Sequence, residues 1–199
     1  MMAKTKKLLK GLRNIHFAPY VNGAFQTPTP ITFAKKIENT LNYESETEWA
    51  DDEIVDQSYG YNGGEGSLTT LGLSSEEQSL LFGNKIVKGG LVVKTEDESP
   101  TGAFLFERGK KGSTAKRLFV VYACKCSPAS FNGETLEGGK SPASESEISY
   151  TISNLPTGEI YHFIDTDDTT VDQEAITNWF KKVQMPKPLS DLKEKIAQK

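Results

Sequence analysis

The chain has 199 residues, the size of one domain or of one domain with arms. Its formal net charge of −4, with 25% charged residues, excludes a protein that bulk charge holds on nucleic acid or anionic lipid. No run approaches the roughly 20 apolar residues of a membrane span, and only Leu8 and Leu9 follow the N-terminal basic stretch. We therefore expect neither a membrane anchor nor a secretory signal, and folding in a cytoplasm.

Alternation of apolar and polar residues dominates the first half of the chain. Residues 12–20 are a strand candidate, and the Asn-Gly pair at 22–23 is a turn signal. Apolar residues then occupy odd positions within 31–43, which predicts a strand with one wet face. The glycine-rich segment 60–66 is interpreted as a loop that leads into a further strand at 67–73.

The first helix is predicted after this strand. Ser74, followed three residues later by Glu77, forms a capping-box pattern that satisfies free amide groups of the first turn. Leu80 and Phe82 are assigned to the core, and Gly83 is placed to end the helix in a left-handed conformation.

The middle of the chain is again strand-like. Residues 86–93 predict a hairpin or a bulged strand, and residues 103–106 predict another strand. The segment 118–126 is apolar on both faces, with Val120, Tyr122 and Cys124 expected on one of them, and is typical of a strand that is buried on both sides. Val120 and Tyr122 are assigned to the core.

The composition changes at residues 127–147, where Gly, Ser, Pro and Glu prevail. A segment of this length with no apolar anchor is interpreted as an extended loop or arm. Strands are predicted to resume at 148–152 and 159–164. The division is then an N-terminal arm at 1–10, one domain at 11–186 and a charged C-terminal tail at 187–199.

A second helix is predicted to start near Asp172. Apolar residues at spacings of three and four define its packing face, and we assign Ile176, Trp179 and Phe180 to the core. Pro186 and Pro188 are expected to end this helix.

Several side-chain groups were considered as chemical sites. The acidic cluster Asp165, Asp167, Asp168 and Asp172 does not have the spacing of a calcium loop, and helix capping is favoured over a metal site. The two histidines, at 16 and 162, have no partner at zinc-ligand spacing.

Cysteine, lysine and arginine residues give no clearer signal. Cys124 and Cys126 are interpreted as reduced packing residues. The basic group Lys110, Lys111, Lys116 and Arg117 is interpreted as a solvated hairpin tip. No enzyme signature emerges, and neither a cofactor nor a metal is expected.

Seven blocks of the sequence, taken together, carry a resemblance. They are GLRNIH (11–16), WADD (49–52), GEGSLT (64–69), GL (72–73), LFGNK (81–85), DTDD (165–168) and AITNWF (175–180). In this order and spacing they resemble the major tail protein family of phages with long, non-contractile tails. The resemblance covers about residues 11–186, and segments 127–147 and 187–199 match poorly.

The resemblance implies a mainly β protein with one or two flanking helices in a β-sandwich or barrel-like tail-tube fold. It also implies a structural virion protein whose hexameric rings stack into a hollow tail tube. Expected partners are further copies of the chain, the tape measure protein, the tail terminator, and double-stranded DNA that passes without sequence-specific binding. Assembly is expected in the cytoplasm of the host bacterium.

Two segments are the candidates for contact between subunits, and a mobile surface loop is the alternative for each. The first is a predicted loop at 51–61, and the second is the arm at 128–142. The candidate contact residues are Asp51, Asp52, Tyr59, Tyr61, Pro128, Phe131, Leu136 and Pro142.

Three other functions stay open. A β-sandwich carbohydrate- or receptor-binding tail module would display an exposed aromatic platform, which the sequence does not make evident. A tail terminator or connector would form a single ring. An unrecognised hydrolase is a third alternative, because a fold does not dictate a function.

Overall fold

The computed structural model describes residues 7–128 and 145–188. Within these residues the chain is mainly β with two short helices, which confirms the predicted fold class at this level. In chain order the elements are β1 (Leu9–Val21), β2 (Ala24–Phe25), β3 (Thr29–Pro30), β4 (Ala34–Ala50), β5 (Glu53–Thr70), α1 (Ser75–Phe82), β6 (Lys85–Val87), β7 (Gly90–Val92), β8 (Thr101–Lys110), β9 (Lys116–Cys126), β10 (Ser146–Ile152), β11 (Tyr161–Asp165) and α2 (Gln173–Asn178).

Nine of these strands form one antiparallel sheet in the order β2-β1-β8-β9-β10-β5-β4. Strand β3 also pairs with β1, and β11 pairs with β9. Strand β9 therefore has two partners on one side, with β11 beside residues 117–121 and β10 beside residues 124–126. Strands β6 and β7 form a separate hairpin.

The large sheet is strongly curved. Strand β3 pairs with β1 near one end of the strand order, whereas β4 lies at the other end. Only residues 31–33 connect β3 to β4, so the two strands are at most about 14 Å apart along the chain. The sheet must bend to bring these two distant positions together.

Two apolar clusters cover the opposite faces of the central strands. The first includes Phe17, Leu68, Phe104 and Tyr150, with α1 packed against it through Leu81 and Phe82. The second joins the other face of the sheet to the segment after β11. Its largest members are Tyr122 and Trp179.

The residues assigned to the core differ in their burial. Val120, Tyr122 and Trp179 are fully buried, and Phe82 is nearly so. Leu80, Ile176 and Phe180 are partly buried and pack against the cluster margins.

The alternation along β9 changes at Ala123. Val120 and Tyr122 belong to the second cluster, whereas Cys124 belongs to the first. Ala123 has a φ of 48°, and a register shift in the pairing with β8 lies opposite it. This irregularity turns the following side chain to the other face, so the sequence-based expectation of Val120, Tyr122 and Cys124 on one face is wrong.

The prediction of a loop at 60–66 is also wrong, because these residues lie within β5. Gly64 and Gly66 are needed there for close approach rather than for a turn. A Cβ on Gly66 would lie 2.4 Å from the Tyr150 ring and 2.7 Å from the Glu38 carbonyl oxygen. The glycines let β5 pass beneath a buried tyrosine.

Helix α1 has the predicted ends. The Ser74 hydroxyl accepts a hydrogen bond from the Glu77 amide, and the Glu77 carboxylate accepts one from the Ser74 amide. Gly83 ends the helix at a φ of 73°. The predicted capping box and left-handed terminus are confirmed.

Helix α2 is shorter than expected. Asp172 caps it as predicted, but it ends at Asn178, so Trp179 and Phe180 lie beyond the regular helix. Trp179 is nevertheless anchored, because its indole N–H donates to the Phe119 carbonyl oxygen at 3.3 Å. The spacing of apolar residues reflected packing rather than a continuous helix.

The other strands also differ from their predicted bounds, most of all β4, which extends to Ala50, and β5, which begins at Glu53. The strand expected at 31–43 begins at Ala34, since Phe33 has a φ of 54° and is exposed. The segment 86–93 contains the expected hairpin of β6 and β7. In the described part of the chain, no helix has the length and apolar character needed to cross a membrane.

Candidate assembly surface

The hairpin of β4 and β5 extends well beyond the rest of the sheet. Strand β10 pairs with β5 only between Gly64 and Thr70. Past Gly64, residues 43–61 pair only with one another, and we call this two-stranded segment the ribbon. Every ribbon residue except Tyr61 is exposed. Apart from Tyr61, the ribbon therefore has no support from the core, and a two-stranded ribbon on its own is at best marginally stable in water.

One face of the ribbon is aromatic. The register places Tyr43 opposite Tyr61 and Ser45 opposite Tyr59, and alternation then carries Trp49 to the same face. The Tyr43 and Tyr61 rings meet edge to face with centroids 5.6 Å apart. Trp49 is 66% exposed and Tyr59 is 68% exposed. Large aromatic groups presented to solvent in one row are typical of a contact surface.

The opposite face of the ribbon is acidic. Glu44, Glu46 and Glu48 alternate along β4, with Asp56 opposite Glu48. The Asn62 amide donates to Glu44 on this face. No Lys, Arg or His occurs between residues 37 and 84, and no described cation forms an ion pair with these four carboxylates. The ribbon repels a second ribbon and attracts a basic surface.

The tip of the ribbon is a tight turn at Asp51 and Asp52. Both residues have positive φ, 51° and 62°, which aspartate tolerates and which suits the twist of a two-residue hairpin turn. The pairing shifts register between Glu48 and Trp49, so β5 has one extra residue beside the tip. Such a bulge increases the local twist.

Tyr61 anchors the base of the ribbon to the domain. It is partly buried, and its hydroxyl donates to the Ile152 carbonyl oxygen at 2.9 Å. Burial raises its pKa above the usual tyrosine value. Tyr61 therefore holds the base of the ribbon against the domain.

The other predicted contact residues have different positions. Asp51, Asp52 and Tyr59 lie on the ribbon, which is a hairpin and not the loop expected at 51–61. Pro128 is exposed at the edge of the described residues. The positions Phe131, Leu136 and Pro142 lie outside the described residues, as does most of the segment 127–147.

Several exposed ribbon residues were not predicted as contacts. They are Tyr43, Trp49, Ile54 and Val55. The strict alternation of acidic residues with Tyr43, Ser45, Thr47 and Trp49 was the available signal, and it indicates a strand exposed on both faces.

Strand β4 also has a free edge along its length. Among the described strands, β4 pairs only with β5. Its outer N–H and C=O groups therefore have no strand partner among the described residues. A long edge strand of this kind is a template for pairing with another chain.

The basic group at the β8–β9 turn is solvated as expected only at Lys111, because the other three members form ion pairs with carboxylates of the domain. Lys110 is fully buried, with Nζ 2.5 Å from Asp167 Oδ1 and 3.1 Å from Asp165 Oδ1. Arg117 binds Asp165 through two hydrogen bonds of 2.8 and 2.7 Å. Lys110 and Arg117 thus form ion pairs within the domain, and these pairs hold the β8–β9 turn against the end of β11 and the residues that follow it.

No group of three or more potential metal ligands occurs among the residues that the structure describes. Both cysteines are buried and free. Burial raises the pKa of the Cys126 thiol to about 12 and raises that of Cys124 as well. Neither thiol is an activated nucleophile.

These features define a mainly β domain whose most unusual surface is an exposed ribbon, aromatic on one face and acidic on the other. No known protein family matches the chain, and no curated protein is significantly similar to it in sequence.

Proposed function

We propose that the chain is the subunit of a phage tail tube, a structural virion protein that forms hexameric rings stacked into a conduit for DNA ejection. The observation that carries this proposal is the ribbon. It exposes Tyr43, Trp49, Ile54, Val55 and Tyr59 while contributing nothing to the folded core. Exposed apolar side chains grouped in this way are typical of a surface that a partner covers.

The sheet supports the same proposal. In this proposal the curved sheet is the β-sandwich or barrel-like core of a tail-tube subunit, with α1 and α2 on its flanks. The unpaired edges of β4 and β11 would be covered by neighbouring copies. A ring of subunits removes free edges in the way that a closed barrel does.

The proposed partners follow from that role. Copies of the chain make the rings, the tape measure protein sets the length of the tube, and the tail terminator ends it. Double-stranded DNA passes through without sequence-specific binding. A chain with a net charge of −4 would not retain a passing duplex by counterion release.

The test is self-assembly of the purified full-length chain. Sedimentation velocity and negative-stain electron microscopy over a hundredfold range of concentration should show annuli and then filaments that lengthen with concentration. A terminator would stop at one ring. A species that stays a single molecule at every concentration would contradict the proposal.

One observation favours a second function. The exposed row of Tyr43, Trp49 and Tyr59 has the character of a glycan-binding platform, which was the feature expected of a receptor-binding tail module. Retention of the monomer on glycan columns, abolished by Trp49→Ala, would support that function. The tail-tube proposal expects no retention and a loss of assembly in the same variant.

A further inference from the structure

The ribbon and the β6–β7 hairpin lie at opposite ends of the large sheet. Paired residues Leu41, Gly64, Ile152 and Cys124 form one row across four strands. From this row the ribbon runs toward lower β9 numbers, and its tip is about 30 Å away at roughly 3.3 Å per residue.

The β6–β7 hairpin is held on the other side of that row. The Asn84 amide donates to Asp97 at 2.9 Å, and the Glu98 carboxylate binds Lys125 at 2.8 Å. Lys125 pairs with Thr101 at the start of β8, beyond Cys124 in the opposite direction. The ribbon of one molecule therefore points away from its own β6–β7 hairpin.

The β6–β7 hairpin carries positive charges, which the ribbon lacks. Lys85 and Lys88 are exposed, and neither makes an ion pair with another described residue. Beside them, Ile86, Val87 and Val93 are exposed by 48%, 42% and 69%. The two lysines complement the acidic face of the ribbon, and a docked ribbon would also shield the apolar side chains beside them from water.

We infer that the acidic face of the ribbon of one copy docks on the β6–β7 hairpin of a second copy, with Lys85 and Lys88 facing Glu46 and Glu48. This inference rests on the proposed function and names the receiving surface. The two surfaces are different patches at opposite ends of one molecule, so the contact is head-to-tail. A head-to-tail contact adds subunits repeatedly, which a tube requires.

Charge exchange between two variants tests the contact. The K85E/K88E variant reverses the charge of the β6–β7 hairpin, and the E46K/E48K variant reverses the charge of the ribbon's acidic face. Each variant alone places like charges against each other, and we expect the concentration for half-assembly to rise by about tenfold or more. An equal mixture of the two should assemble like the wild type, because every contact in an alternating polymer then joins opposite charges.

The matched control is K181E/K182E, which reverses two exposed lysines outside both surfaces and should assemble normally. Thermal unfolding of each variant verifies that it is folded. Normal assembly of K85E/K88E, or failure of the mixture when each partner is folded, overturns the docking site. If the wild type itself never assembles, the proposed function fails and the inference fails with it.

Engineered cysteines give a second readout that does not depend on charge. Both native cysteines are buried, so E48C and K88C introduce the reactive thiols. Under mild oxidation, mixed E48C and K88C chains should form disulfide-linked dimers, and neither variant should do so alone. Linkage of E48C to itself without linkage in the mixture contradicts the head-to-tail contact.

Discussion

Lys110 shows how a charged side chain is retained inside this domain. Its ammonium group is fully buried between Asp165 and Asp167, whereas the two carboxylates keep some contact with water. Removing the lysine leaves carboxylates that water and Arg117 can still satisfy. Removing both carboxylates leaves a buried charge without compensation, which is the more costly change.

The first prediction follows from this asymmetry. D165N/D167N should lower the free energy of unfolding by about 3–5 kcal/mol, and K110M, which keeps the apolar stem, should lower it by clearly less. Urea denaturation at neutral pH measures both, with D56N on the exposed ribbon as a control that should have little effect. Equal losses in the two network variants would contradict the argument.

Asp165 also makes the stability of the fold sensitive to acid. Hydrogen bonds from Arg117, with a further contribution from Lys110, hold the pKa of Asp165 below its ordinary value. A carboxylate with a depressed folded-state pKa stabilises the fold above its unfolded pKa of about 3.9. This stabilisation is lost as the pH falls through the lower folded-state value.

The second prediction is therefore a pH profile. The difference in unfolding free energy between the wild type and D165N should be constant from pH 7 to about pH 5 and should shrink below about pH 4. Denaturant titrations at each pH measure it. A difference that grows in acid would have the wrong sign for this ion pair.

At the scale of elements, β5 depends on glycines that are close to other atoms. Gly66→Ala would place a Cβ against Tyr150 and the Glu38 carbonyl group, and overpacking of this kind costs about 1–3 kcal/mol. Gly60→Ala in the same strand is the matched control, because its Cβ would meet nothing within 4 Å. Thermal unfolding should show a loss of stability for Gly66→Ala only. A similar loss in both would mean that a property shared by the two positions, and not contact with Tyr150, is the cause.

Elements defined by local chemistry could be predicted from the sequence, and elements defined by distant contacts could not. The capping box at Ser74 and the left-handed Gly83 depend on residues a few positions apart. Gly64 and Gly66 look like a loop locally, and only their approach to Ile152 and Tyr150 makes them part of a strand. In the same way, Lys110 looked solvated because its acidic partners lie 55 or more residues away.

At the scale of the whole molecule, only part of the candidate surface could be predicted from the sequence. The segment 51–61 was identified, but its pairing with residues 43–50 was not. The alternation of charges with aromatic residues predicts a strand, yet it cannot say that both faces are left uncovered. That property depends on where β10 ends, which is set by the global topology.

The ribbon is separable from the fold, and this gives the last prediction. Glu44 and Gly60 are opposite each other in the register, so residues 45–59 can be replaced by an Asn-Gly turn that suits a two-residue hairpin. Because the deleted residues are exposed and reach no core cluster, the free energy of unfolding should change by less than about 1 kcal/mol. Assembly, followed by sedimentation velocity, should be lost. Trp179→Ala is the contrasting variant, since truncation of a fully buried tryptophan costs about 3–5 kcal/mol. A shortened chain that still forms filaments would show that subunits join through other surfaces, such as the open edge of β4.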